Sequence, residues 1–144
     1  MDTKLLHLTQ VTIQTGLPEA LANPIKPELF VGKHEARLGT LVGVTQFGVN
    51  HVTLEPGSIS ALRHWHEAED EFVYVLSGEL TLIDDNGEHA LEKGSFAGFP
   101  AGCPNAHHLE NESEQPASFI VVGSRKPGAD TVHYPDDDLG PVRK

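Results

Sequence analysis

Short runs of apolar and β-branched residues alternate with turn residues along the chain from about residue 40 onwards. The first run, residues 41–55, is rich in Val and Thr and stops at Pro56-Gly57. Later runs are separated by turns at residues 77–78, 84–87, 100–102 and 111–116. Short strands bounded by Gly, Pro, Asn and Asp are typical of antiparallel sheets. The pattern therefore predicts an all-β sandwich or barrel and argues against alternating strands and helices.

The residues on either side of this pattern lack strand periodicity. Residues 1–40 contain three prolines, and a short helix is predicted around residues 18–22. Such a segment is typical of an arm that covers a sheet edge or a partner subunit. A chain of 144 residues fits one domain with its own core. We therefore divide it into an N-terminal arm (1–40), a barrel (41–125) and a C-terminal tail (126–144).

The segment at residues 71–76 is apolar on both faces of a predicted strand. Phe72, Tyr74 and Leu76 share one face, and the two valines between them share the other. A strand that is apolar on both sides needs cover on its outer face. We expect a second copy of the chain to provide it, which makes a homodimer. A lid formed by residues 1–40 of the same chain is the alternative.

The charge balance and the apolar runs limit the partners. The net charge is −11, from 10 basic and 21 acidic residues, whereas binding to nucleic acid depends on clustered Lys and Arg. No apolar run approaches the ~20 residues that cross a bilayer. The first ten residues lack the features of a secretory signal, and the single Cys103 leaves no internal disulfide. We expect a cytoplasmic protein that binds neither nucleic acid nor a membrane.

His64, His66 and Glu71 form a candidate metal site. The two histidines are separated by one residue, so both imidazoles lie on the same face of a strand. Glu71 can meet them from the neighbouring strand if a turn lies between. Two imidazoles and a carboxylate suit Mn, Fe, Ni, Cu or Zn better than Ca or Mg. The sequence therefore predicts a divalent transition metal as cofactor.

Residues 94–111 add a second group of candidate residues after a Pro-Ala-Gly turn. Taken together, the two segments resemble the two sequence motifs of the cupin superfamily. The first motif is matched by Gly57, His64, His66, Glu71 and Gly78. The second motif is matched by Gly94, Pro100, Gly102, His107 and Asn111.

The resemblance to cupins covers about residues 42–123 and departs in two spacings. One residue more than usual lies between Gly57 and His64, and two more than usual precede His107. The resemblance implies a double-stranded β-helix, the jelly-roll or cupin barrel, with the N-terminal arm added. It also implies that His107 is a fourth metal ligand, with the neighbouring His108 as the alternative.

The resemblance does not identify a reaction, because cupins include dioxygenases, decarboxylases, isomerases, lyases and non-catalytic binders. We expect an enzyme that uses its metal as a Lewis acid on an oxygen-rich small-molecule substrate, with isomerase-, decarboxylase- or dioxygenase-type chemistry. His51 and His108 are the candidates for a catalytic acid or base. A protein that binds or stores a metal or small ligand without turnover is the alternative.

A sugar-phosphate isomerase-like protein is a further alternative, since similar small single-domain cupins carry that description. Before the final pair Arg125-Lys126, the barrel region contains only the cations Arg63 and Lys93. The sequence therefore offers few positive groups near the motifs to hold a phosphate.

Overall fold

The computed structural model describes residues 3–16, 27–137 and 139–144, which are almost entirely β-strands and turns. The helix predicted around residues 18–22 lies outside these described residues. Within the described ranges, one four-residue helix, α1 (Leu38–Leu41), and two short 3₁₀ turns interrupt the strands. The described residues contain no helix long and apolar enough to pass through a membrane. The prediction of an all-β protein is confirmed.

The strands in chain order are β1 (Gln14–Thr15), β2 (Lys33–Ala36), β3 (Phe47–Leu54), β4 (Trp65–His66), β5 (Glu71–Ser77), β6 (Leu80–Asp84), β7 (Gly87–Leu91), β8 (Phe96–Phe99), β9 (His108–Glu110), β10 (Ala117–Ser124), β11 (Thr131–His133) and β12 (Val142–Arg143). They form a six-stranded sheet in the order β1-β2-β3-β10-β5-β8 and two three-stranded sheets, β12-β11-β4 and β7-β6-β9. Neighbouring strands run antiparallel.

The main core lies between the six-stranded sheet and the sheet β7-β6-β9. Val52, Phe119 and Val75 lie side by side on β3, β10 and β5 and are almost fully buried. Leu82 and Leu109 from the opposite sheet belong to the same apolar cluster. Because strand side chains alternate between faces, the residues between these positions point out of the core. This alternation fixes which side chains of each strand can reach the barrel interior.

Strand β2 comes from the segment that the sequence assigned to the arm. Its four residues pair with the second half of β3, so Glu35 lies beside Val52 and Lys33 beside Leu54. A short, charged strand carries little apolar alternation, which explains why its sequence pattern is weak. The segment assigned to the arm therefore contributes a strand to the six-stranded sheet and does not only cover its edge.

Two motif residues hold the barrel together without belonging to the candidate site. Gly78 has a φ of +75°, and a Cβ there would lie 2.7 Å from the carbonyl oxygen of Pro116, so a side chain is excluded. Asn111 is buried, and its amide donates to the carbonyl oxygens of Leu54 and Gln115 at 2.8 Å each. The contacts of Asn111 bind the loop before β10 to the end of β3.

Candidate metal centre

Three imidazoles converge on a single carboxylate oxygen. The Nε2 atoms of His66, His64 and His107 lie 2.7, 3.1 and 3.3 Å from Oε1 of Glu71. These are the four residues that the sequence singled out as ligands. They belong to two segments more than 30 residues apart, and the fold brings them to one point.

Backbone pairing holds the two motifs side by side. The amide nitrogen of His107 donates to the carbonyl oxygen of His64 at 2.9 Å, and the reverse bond is 3.2 Å long. Trp65, between the two motif histidines, turns the other way and stacks on His133 at 4.2 Å. Glu71 opens β5, and the ring of Phe99 on β8 stacks on His107 at 3.6 Å. Packing therefore limits the rotation of these imidazoles.

Each of the three rings has an oxygen acceptor at its other nitrogen. Nδ1 of His64 donates to the carbonyl oxygen of Leu62 at 2.7 Å, and Nδ1 of His66 donates to Oδ2 of Asp130 at 2.7 Å. Nδ1 of His107 faces the carbonyl oxygen of Asn105 at 3.4 Å. A neutral imidazole that carries its proton on Nδ1 presents a lone pair at Nε2. Three lone pairs therefore face a carboxylate oxygen.

Such a cluster of acceptors is stable only with positive charge among them. Nε2 of His107 is buried and has no hydrogen-bond partner among the described residues, although a buried polar atom normally has one. Three imidazole nitrogens and one carboxylate oxygen are a donor set typical of divalent transition metals. The residues present therefore fit a metal ion.

The electrostatics of the cluster favour an ionised Glu71. Burial raises the pKa of Glu71, but the adjacent imidazoles of His107, His64 and His66 outweigh burial and hold this pKa well below its usual range. Burial lowers the pKa of His66, but Glu71 and Asp130 outweigh it, so the pKa of His66 is raised. The site thus attracts positive charge, supplied by a proton or by a cation.

Comparison with known proteins identifies the family of the chain. The Cupin_2 family, described as a cupin domain, matches residues 50–123, which is more than half of the 144 residues. The chain belongs to the cupin family. The jelly-roll barrel predicted from the motifs is therefore confirmed, together with the family itself.

One solved cupin structure is similar over nearly its whole length. This protein, described as a sugar phosphate isomerase from a cupin superfamily, comes from Silicibacter pomeroyi. It is 41% identical to this chain, and the match covers 98% of this chain and 93% of that one with a TM-score of 0.83.

Two curated relatives from Bacillus subtilis match over about half of this cupin. Quercetin 2,3-dioxygenase is 30% identical over 64 residues, and oxalate decarboxylase OxdC is 32% identical over 77 residues. These matches cover 44% and 50% of this chain and 19% of each relative. This chain spans at most 51% of the curated relatives that it matches.

The cupin barrel contains a cavity of about 310 Å³ beside the converging residues. His64, Glu71 and His107 line one part of it, and Lys33 and Asn50 line another. A larger hollow of about 430 Å³ lies elsewhere, around Leu80, Leu91 and Ser113, and includes none of the converging residues. The smaller cavity is therefore the candidate substrate site, because His64, Glu71 and His107 line it.

The two histidines proposed as acid or base lie in different places. His108 lines the cavity, but its Nδ1 lies 2.7 Å from the carbonyl oxygen of Ala61 and its Nε2 lies 3.1 Å from Glu110. Its ring therefore faces away from Glu71, and burial lowers its pKa. His51 lies on β3 between two cavity-lining residues, so its side chain points out of the cavity. Among the described residues, His107 and not His108 completes the convergence on Glu71.

Sequence reasoning missed the contributions of the arm and the tail. Lys33 comes from β2, and the buried Asp130, which supports His66, comes from the segment interpreted as a tail. Tyr134 from the same segment lies with its ring 5.9 Å from His64. No motif marks these residues, because each reaches the site only through long-range strand pairing. Arg63, counted in the sequence among the few cations near the motifs, pairs with Asp85 and Asp136 at 2.6 Å each.

Proposed function

We propose that this cupin binds one divalent transition metal through His64, His66, Glu71 and His107. Mn, Fe, Ni, Cu and Zn are the candidates, since the same donor set serves them all. The convergence of three Nε2 atoms on one oxygen of Glu71 carries the proposal. The fixed Nδ1 contacts support it, because metal-bound histidines usually donate their other N–H to an oxygen acceptor.

We further propose that the protein is an enzyme that acts on an oxygen-rich small molecule in the cavity. A bound metal would supply Lewis-acid chemistry by polarising a substrate oxygen. The protein residues keep Glu71 ionised and hold each histidine with Nε2 facing inward. Phe99, which stacks on His107, lines the cavity together with apolar side chains of the inner sheet face. These features suit a substrate with neighbouring oxygens.

Among isomerase, decarboxylase and dioxygenase chemistry, the similar proteins favour an isomerase. The match to the sugar phosphate isomerase extends over almost both full chains, whereas the matches to the dioxygenase and the decarboxylase cover about half of this one. The sequence argument against a phosphate was a shortage of cations near the motifs. Lys33 and Lys144 line the cavity, and neither lies in the barrel region in which those cations were counted. A sugar or sugar phosphate is therefore the substrate class to test first.

The experiment measures metal content and turnover on the same sample. Protein purified without added metal should carry close to one transition metal ion per chain by elemental analysis. Chelation should then abolish the interconversion of aldose and ketose sugars, followed by NMR in D₂O, and the same metal should restore it. Full metal occupancy with no turnover of any sugar or sugar phosphate would favour the alternative of a binding or storage cupin.

We also propose that the protein is a cytoplasmic homodimer. The outer face of β5 stays open with the described part of the arm in place, because Phe72, Tyr74 and Leu76 are 39%, 41% and 36% exposed. Phe96 on β8 is 68% exposed and stacks on Phe72 and Tyr74. A contiguous aromatic face of this kind suits a subunit interface.

A further inference from the structure

Asn50 places an unpaired polar atom at the wall of the cavity. Its Oδ1 is shielded from solvent and has no hydrogen-bond partner among the described residues. A buried acceptor without a partner has lost its hydrogen bonds to water, so such atoms normally have a partner. The neighbouring positions on the same face, Val52 and Val121, are apolar and offer it none. The missing partner of Asn50 is therefore a donor that enters the cavity.

Lys33 supplies a donor on the wall of the same cavity. Its side chain is only 17% exposed, and Nζ donates to the carbonyl oxygen of Ser60 at 2.7 Å. Oε2 of Glu35 lies 3.6 Å from the same nitrogen. An ammonium group has three donors, and these two contacts leave one for another acceptor. Glu35 is shared with Arg37, whose Nε lies 3.4 Å from Oε1 of Glu35, so charges of both signs lie along this wall.

The position of Asn50 in the sheet sets its separation from the candidate metal centre. Asn50 pairs with Val121 on β10, which pairs with Val73 on β5. Glu71 lies two residues before Val73 and shares its face of the sheet. Two strand spacings amount to roughly 10 Å, and the offset of two residues along β5 adds about 7 Å at right angles, so the Cα atoms of Asn50 and Glu71 lie roughly 12 Å apart. One small molecule in the cavity can therefore contact both groups.

We propose that Asn50 and Lys33 form a hydroxyl-binding subsite that selects polyhydroxylated substrates. The hydroxyl groups of such a substrate donate to Oδ1 of Asn50 and accept from Nζ of Lys33, which satisfies both groups. A phosphate dianion fits beside Asn50 less well, because all of its oxygens are acceptors and Oδ1 needs a donor. This subsite rests on the proposed function, since the metal centre would hold the other end of the substrate.

Two hydroxy acids with the same chelating end test the subsite. Glycolate carries only the 2-hydroxycarboxylate group, whereas gluconate adds a chain of four further hydroxylated carbons. Their dissociation constants are measured by calorimetry on metal-loaded wild type, Asn50→Ala and Lys33→Met. Thr53→Val, on the outer face of the same strand, is the matched control. Metal content and melting temperature are recorded for every variant.

Gluconate should bind wild type more tightly than glycolate. Asn50→Ala and Lys33→Met should each weaken gluconate binding about five- to tenfold, the effect of one lost hydrogen bond. Glycolate binding and metal content should stay unchanged, and Thr53→Val should behave as wild type. Equal gluconate affinity in wild type and Asn50→Ala at full metal occupancy would overturn the subsite alone. Wild-type protein that takes up no metal would instead overturn the proposed function on which the subsite depends.

Discussion

His66 and Asp130 form a hydrogen bond across 64 residues of sequence, with Nδ1 of His66 lying 2.7 Å from Oδ2 of Asp130. Asp130 is fully buried, and its other oxygen accepts from the amide of Ala68 at 2.9 Å. The burial of a carboxylate is unfavourable unless its oxygens are paired, and here both are. The pair fixes the ring of His66 with Nε2 towards Glu71. Asp130 is thus a positioning residue for the candidate metal centre.

Replacing Asp130 by Asn should weaken metal binding without abolishing it. The amide keeps the shape of the side chain but removes the charge that orients His66, and loss of such a supporting group typically lowers affinity 10–100-fold. Competition with a fluorescent chelator measures the change. Asp84→Asn, which alters a carboxylate paired with the exposed His89, is the matched control. Unchanged affinity in Asp130→Asn would contradict the positioning role.

The adjacent histidines His107 and His108 give a direct comparison of two candidate ligands. His107→Ala should reduce metal content to well below one ion per chain, because the Nε2 atom facing Glu71 is lost. His108→Ala should retain full metal content, because both nitrogens of that ring contact other oxygens. Elemental analysis after dialysis checks both. The opposite result would assign the fourth ligand to His108.

Part of the candidate site could be predicted from the sequence because alternation along a strand is local. It places His64 and His66 on one face. The second motif pointed to His107 by its spacing from Asn111, although two residues more than usual separate His107 from Gly102. Turn residues similarly marked the strands of the barrel. Asn111 joins the loop before β10 to the end of β3, and Gly78 forms a turn that leaves no space for a side chain. These roles explain why the motifs have Asn and Gly at these positions.

The supporting and cavity residues could not be predicted in the same way. Lys33, Asn50 and Asp130 lie outside the two motifs and join the site through the pairings of β2, β3 and β11. Such pairings depend on the register of whole strands, which a single sequence specifies weakly for short or charged segments. For this reason, the interpretation of residues 1–40 as an arm did not identify Lys33 as a cavity residue.

The aromatic outer face of β5 leads to a prediction about assembly. Tyr74→Glu would place a charge in the centre of the proposed interface and should convert a dimer of about twice the chain mass of 15.6 kDa into a monomer. Val31→Glu, at a position 68% exposed, is the control and should leave the mass unchanged. Light scattering coupled to size-exclusion chromatography measures both. A wild-type monomer at high micromolar concentration would contradict the homodimer.

The pKa shifts of His66 and Glu71 predict opposite pH dependences for the metal-free and metal-loaded proteins. The pKa of His66 is raised above 6.5, so its stabilising effect is complete below pH 6.5 and is lost as pH rises through the raised value. The pKa of Glu71 is lowered below 4.5, so its effect is present above pH 4.5 and is lost as pH falls through the lowered value. For these two groups, the metal-free protein is expected to be most stable between pH 4.5 and pH 6.5.

Metal binding reverses this dependence above pH 6.5, because the proton on His66 must leave before its Nε2 can bind a metal. The increase in melting temperature caused by added Zn²⁺ should therefore grow steadily from pH 5.5 to pH 8, about as the affinity grows. Thermal unfolding in EDTA and in Zn²⁺ at each pH measures the difference. His89→Ala, which alters an exposed histidine, should give the wild-type curve. An increase that is the same at every pH would count against histidine ligation, since a site made of carboxylates alone would already be deprotonated throughout this range.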